Sequence, residues 1–277
     1  MNKIIYLVIT CLVATGLIAC SKTQQDNASA ATATKKELVF GASAMPYTTI
    51  FEQGVKPILE KQGYKIKTLN FSTLEVNNQS VNNGQVDFNL DQHTAYLNVF
   101  NREKGTHLYP LVHIPTVPAA IYSNKYTSIQ QAPNGASVLI PSDPANTSRA
   151  LRILTDNHLV QLKPNINPIL ATTRDIASNP KLLKIKEIDS VMIPRTLNEV
   201  DFGFASGGIA YQSKLDPKKA VLREKVIPEM EMVVTINEKN KDTQWAKDLK
   251  AAYQSDEFKQ FMQKYNQNQM WVMPQAE

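Results

Sequence analysis

Apolar positions recur along this chain with two periods, near two and near 3.6 residues, and each switch of period marks an element. Leu38-Val39-Phe40-Gly41-Ala42 is a short continuous apolar run, the mark of a buried strand. Beyond Pro46, residues Ile50, Val55, Ile58 and Leu59 recur at helical spacing until Gly63 stops them. Tyr64 to Phe71 alternates as a strand, Val76 to Asn83 reads as a helix, and Val86 to Leu90 as a strand. His93, Tyr96, Leu97 and Phe100 then share a helix face. Strand and helix in turn predict an α/β layer on a parallel sheet.

The rhythm resets after the proline-punctuated stretch from His113 to Ser123, which contains Pro115 and Pro118. Ala136 to Ile140 is a second buried strand, followed by a helix that opens near Asn146 with Arg149 in or near its first turn. Further on, Thr172 to Ser178 reads as a short helix, Leu182 to Ile188 as a strand, Arg195 to Val200 as a short helix and Asp201 to Ala205 as a strand. Glu229 to Ile236 alternates and carries the chain back, and two helical segments, Thr243 to Tyr253 and Ser255 to Tyr265, finish it. These elements predict a two-lobed α/β fold: residues 37–118 with 230–277 form the first lobe, and 119–229 the second. Two crossings join the lobes, so a cleft lies between them. Ligands of open α/β sheets sit at the carboxyl ends of strands, beside helix N-termini.

The N-terminus changes the picture. Lys3, an apolar run and then Leu17-Ile18-Ala19-Cys20 have the order of an export signal. The ending Leu17-Ile18-Ala19-Cys20 resembles the recognition box of bacterial lipoproteins. That resemblance implies a product that loses residues 1–19, carries lipid on Cys20 and hangs from the polar, small-residue tether up to residue 36; the alternatives are an ordinary signal peptide and an uncleaved anchor. The other cysteine, Cys11, lies inside the signal, so residues 21–277 contain no thiol. The expected location is the bacterial cell envelope, on either membrane, facing periplasm or exterior.

Composition and charge exclude more than they suggest. At 277 residues, 43% hydrophobic and 20% charged, the chain is that of a globular protein. A net charge of +5 is spread rather than striped, so no nucleic-acid partner is expected. The four histidines show no metal spacing, no glycine-rich phosphate loop or nucleophile elbow occurs, and neither enzyme activity nor a cofactor is expected.

Binding chemistry concentrates at two helix starts. Arg149 near a helix N-terminus faces an unfavourable field, which an anionic ligand or a nearby acid would offset. Asn146, Thr147 and Ser148 add short polar groups there. In Asp91-Gln92-His93-Thr94-Ala95-Tyr96, the acid is placed to cap a helix on which His93 and Tyr96 share a face.

Asp91-Gln92-His93 with Tyr96-Leu97, Pro141-Ser142-Asp143-Pro144 with Asn146 and Arg149, Ile193-Pro194-Arg195-Thr196-Leu197, and Ala252-Tyr253-Gln254-Ser255-Asp256-Glu257 together carry a resemblance. The chain resembles the methionine-binding lipoproteins of bacterial ABC importers, the MetQ/NlpA-type family. The resemblance implies capture of a small amino acid-like solute, methionine among the candidates, and delivery to a membrane permease. It implies that Arg149 holds the ligand carboxylate, with His93, Tyr96 and Asn78 about it. Several positions depart from the family pattern. Asp91 stands where phenylalanine is usual, Leu74 replaces an aromatic, Gly208 and Glu231 replace asparagines, and Glu229 replaces a tyrosine. If Asp91 and Glu231 line the cleft, the ligand is more polar or cationic than methionine. The remaining alternatives are a related metabolite, a hydrolase with a dispersed triad, and an envelope lipoprotein with no transport role.

Overall fold

The computed structural model describes residues 35–267 and 269–275. The expected signal segment, Cys20 and most of the tether lie outside the described residues. Among the described residues, no helix is long and apolar enough to cross a membrane.

The first half-chain runs β1 (Glu37–Ala42), α1 (Pro46–Ile50), α2 (Lys56–Lys61), β2 (Lys65–Asn70), α3 (Leu74–Asn82), β3 (Phe88–His93), α4 (Thr94–Lys104) and β4 (Leu108–Ile114). A turn of π-helix, Phe51–Val55, joins α1 to α2. It accommodates Gly54, where an added Cβ would come within 2.6 Å of the Phe261 ring. The middle of the chain adds β5 (Ala120–Tyr122), β6 (Ser137–Pro141), α5 (Pro144–Asp156), β7 (Gln161–Leu162), β8 (Ile176–Ser178), β9 (Lys184–Ile188), β10 (Phe202–Ala205), α6 (Gly207–Gln212) and β11 (Ala220–Arg223). The end brings β12 (Met232–Asn237), α7 (Gln244–Gln254) and α8 (Asp256–Tyr265).

Two five-stranded sheets result, ordered β2-β1-β3-β12-β4 and β11-β5-β10-β6-β9. Each has its own apolar core. Phe40, Phe51, Phe88, Trp245, Leu249 and Phe258 pack in the first, and Val138, Ile140, Leu151, Leu154, Phe202 and Phe204 in the second. Neither sheet is purely parallel. β12 enters the first sheet antiparallel to both β3 and β4, and β5 runs antiparallel to β10 and β11. The returning strand therefore sits inside the first sheet, a placement that hydropathy alone does not encode.

Three local expectations change. Residues 172–178 form no helix. The Thr172–Asp175 capping box closes one 3₁₀ turn, and Ile176–Ser178 then pairs with Gln161–Leu162. The stretch 195–200 holds only a 3₁₀ turn, Pro194–Thr196. Helix α5 opens at Pro144, capped by Asp143, which puts Arg149 in its second turn.

The chain crosses between sheets twice, between β4 and β5 and between β11 and β12. The crossings are bound to each other: Glu224 N–H donates to Ala119 C=O at 3.0 Å, and Ala119 N–H donates to Glu224 Oε1 at 2.7 Å. Gly207 packs directly on the first crossing, where an added Cβ would lie 2.3 Å from Val117 O. Backbone cannot retreat as a flexible side chain would, so Gly207→Ala is expected to destabilise the fold by about 1–3 kcal/mol. Denaturant unfolding of the variant measures this, and an unchanged midpoint would contradict the packing described.

Candidate functional site

A cavity of about 780 Å³ opens between the two lobes, within the range of small-molecule sites. The first lobe supplies Asp91, His93 and Tyr96 from the end of β3 and the start of α4. The second supplies Asn146 and Arg149 from the start of α5, and Gly208 from α6.

Arg149 is 2% exposed, the bulkiest fully buried side chain, and it forms part of the cavity wall. Its field is offset by an acid from the second crossing. Nε donates to Glu224 Oε2 at 2.7 Å, and Nη2 donates to Glu224 Oε1. Arg152, one turn later on α5, adds a weaker contact to Glu224 Oε2 at 3.5 Å. Burial works against both ions, yet the Arg149 charge and its hydrogen bonds hold the Glu224 carboxyl below its ordinary value. Burial likewise opposes the Arg149 charge, and Glu224 outweighs it. The pairing uses the Nε–Nη2 edge and leaves Nη1 without a protein hydrogen bond among the described residues. A guanidinium anchored along one edge keeps a corner for a second carboxylate.

His93 is the N-cap of α4, a role the sequence assigned to Asp91. Strand β3 continues through residue 93, pairing Gln92 with Val233 and His93 with Met232, so the helix starts two residues later than an aspartate cap requires. Tyr96 N–H donates to His93 Nδ1 at 3.1 Å. Burial, and then the Arg149 charge, lower the His93 pKa to about 3. The ring is therefore neutral and carries its proton on Nε2, which donates to Asn146 Oδ1 at 3.3 Å across the lobes. Asn146 Nδ2 in turn donates to Asp143 at 3.0 and 3.2 Å. The Tyr96 ring stands edge-on to His93, with centroids 6.3 Å apart.

Asp91 faces the cavity from within β3. Ser43 Oγ donates to its Oδ1 at 2.8 Å and Asn77 Nδ2 to its Oδ2 at 3.2 Å. Burial raises its pKa to about 6, against the lowering effect of those two bonds.

Two expected positions lie elsewhere. Asn78 is fully buried in an amide network beneath α3. It exchanges hydrogen bonds with Gln92 at 2.8 Å and accepts from Asn89 at 2.8 Å, while Gln92 also reaches Thr235. Its polar groups are thus spent on joining α3, β3 and β12, and it does not line the cavity. Glu231 is also outside the cavity. It pairs with His113 Nδ1 at 2.5 Å and accepts from Gln275 N–H at 3.2 Å. Glu229 is exposed and likewise absent from the lining. Gly208 does line it, but a side chain there would meet Met45 Sδ, 2.6 Å from an added Cβ. A thioether of the first lobe thus fills the space that an asparagine would take.

Sequence reasoning missed Glu224 and Asn77. Glu224 lies between Arg223 and Lys225 and reads as a surface acid. Its partner is 75 residues away. Asn77 had one indirect signal, Gly41, 36 residues away, whose missing Cβ leaves the space that Asn77 Oδ1 enters, 2.0 Å from where a Cβ would be.

Two buried groups titrate in opposite senses. The His93 pKa lies below its unfolded value, so stability falls as pH drops from about 6.5 toward 3. The Asp91 pKa lies above its unfolded value, so its contribution is present below pH 3.8 and lost as pH rises through about 6. Asp91→Asn is therefore expected to raise stability relative to wild type at pH 8, by up to about 3 kcal/mol, and to show less gain at pH 4.5. Thermal unfolding at the two pH values checks the sign; a difference between variant and wild type that does not change with pH would refute it.

Residues 38–274 match the family described as NlpA lipoprotein. The chain is 32% identical over 224 residues to outer membrane lipoprotein 3 of Mannheimia haemolytica, covering 80% of this chain and 84% of that one. It is 32% identical over 212 residues to the D-methionine-binding lipoprotein MetQ of Escherichia coli strain K12, covering 75% and 78%. A nutrient binding protein from Burkholderia cenocepacia, solved bound to methionine, superposes with a TM-score of 0.78 at 31% identity, covering 85% of this chain and 99% of that chain.

Proposed function

Since the chain belongs to the NlpA lipoprotein family, we propose that it is the substrate-binding lipoprotein of an ABC importer, capturing a small amino acid by closure of its two lobes. The role is that of a receptor: the guanidinium on the cavity wall is placed to clamp the carboxylate of a small solute. Lipid on Cys20 would hold the body at the envelope membrane, and the permease would receive the ligand. The Mannheimia relative's name favours an outer-membrane location, whereas delivery to a permease favours the inner one. Methionine, named for several relatives, suits the apolar part of the lining, where Met45, Tyr47, Phe71, Leu74 and Met232 gather.

The observation that carries this reading is the buried Arg149 on the cavity wall with Nη1 unspent. A ligand carboxylate arriving there meets a desolvated cation whose position Glu224 has already fixed. The Nε2–H of His93 donates to Asn146 Oδ1 across the cavity, so the protein's own groups already bridge the closed arrangement that a ligand would stabilise. Ligand then shifts the open–closed population by its differential affinity for the closed form.

The test removes the carboxylate clamp together with its buried counter-ion. Arg149→Ala alone leaves buried Glu224 with only the longer Arg152 contact and is expected to cost about 3–5 kcal/mol of stability. The double variant Arg149→Met with Glu224→Gln removes both charges and should fold, yet lose about 2–5 kcal/mol of amino-acid binding by calorimetry. Unchanged affinity in the folded double variant would sink the proposed clamp.

A further inference from the structure

Two residues break local rules at facing points of the cavity. Met45 is the N-cap of α1, where a short polar side chain would bond the first free N–H groups, and it makes no such bond. Pro46 follows it and keeps its backbone extended. Gly208 lies in α6, where alanine is the better helix former, and its backbone is not in the left-handed region that calls for glycine. Neither choice is explained by its own element.

One contact explains both. The Met45 side chain leaves the first lobe and sits over Gly208 of the second, with Sδ 2.6 Å and Cε 3.4 Å from where a Cβ would stand. It packs on two apolar clusters at once, the first-lobe core that holds Phe51 and Trp271 and a second-lobe cluster that includes Ala205, Ile209 and Ala210. Met45 and Gly208 both line the cavity, with Tyr47 beside them, 3.7 Å from the same point. The thioether chain is unbranched and adaptable, so it can enter such a seat and leave it without disturbing the backbone. The His93–Asn146 bond across the cavity is polar, and water replaces it when the lobes part. Water does not replace the Met45 contact, because parting the lobes returns its apolar surface to solvent.

We propose that Met45 is the positioning residue for lobe closure: its thioether docks on Gly208 of the opposite lobe, and a ligand is retained when it leaves that seat free. This rests on the amino-acid capture proposed above. Removing apolar surface from water favours the closed form before any ligand contact is counted. The seat also limits the ligand, because a group that reaches over Gly208 displaces the thioether and holds the lobes apart.

Paired variants of the two positions, made in the full-length protein in detergent, test this. Spin labels at Lys67→Cys and Lys186→Cys, exposed on the edge strands β2 and β9, report the interlobe distance. Methionine, or whichever of the twenty amino acids binds most tightly, is the probe for release rate. Gly208→Leu fills the seat and should lengthen the mean distance and speed release about tenfold or more. Met45→Ala should broaden the distances and speed release less. Combined with Gly208→Leu, Met45→Ala should recover both readouts, because the leucine then fills from the second lobe the space that the thioether left. Unfolding midpoints separate closure from damage to the fold, and Gly208→Ala takes the place of a leucine variant that does not fold. No recovery in the double variant, or unchanged distance and release in the single Gly208 variant, overturns the closure role. Distances that respond as stated while no amino acid binds the wild type uphold the closure contact and overturn the capture reading.

Discussion

The buried ion pair between Arg149 and Glu224 organises this molecule. Neither ion can be removed from water alone, because an unpaired charge at that depth is far more expensive than the pair. Glu224 belongs to the second crossing, where its backbone N–H and its carboxylate both bind Ala119 of the first crossing. Arg149 belongs to the helix that opens onto the cavity. One carboxylate therefore ties together the two connections between lobes and the cation on the cavity wall. The free corner of that cation is thus in mechanical contact with both segments that join the lobes.

The two faces of the cavity are complementary by subtraction as well as by contact. Gly208 has no side chain where Met45 enters, and Gly207 has none where the first crossing passes. Space that a larger residue would use for ligand contacts is filled by the protein itself. The polar groups that remain, His93, Asn146, Arg149 and Asp91, are each fixed by a partner. The cap bond sets the His93 tautomer, Asp143 sets the Asn146 amide, Glu224 the guanidinium and Ser43 the carboxylate.

Much of this was legible in the chain. The apolar run Leu38 to Ala42, the helical spacing from His93 to Phe100 and the two closing helices are local patterns, and local patterns survive folding when the core supports them. What was not legible depended on distant pairing. Aspartate is a better helix cap than histidine, yet β12 pairs with β3 as far as His93 and moves the helix start past Asp91. Asn77 and Asn78 are neighbours on one helix, and only the strands beneath decide which faces Asp91 and which faces Gln92. Glu224 needed a partner that no spacing rule could supply.

The position of β12 has a consequence for how such a chain is assembled. Every strand of the second sheet comes from residues 120–223, while the first sheet waits for Met232–Asn237 to enter between β3 and β4. A polypeptide that emerges N-terminus first thus completes its second sheet while β4 is still unjoined to β3. During that interval the facing edges of β3 and β4 stand open, and newly made chains are most exposed to pairing with one another.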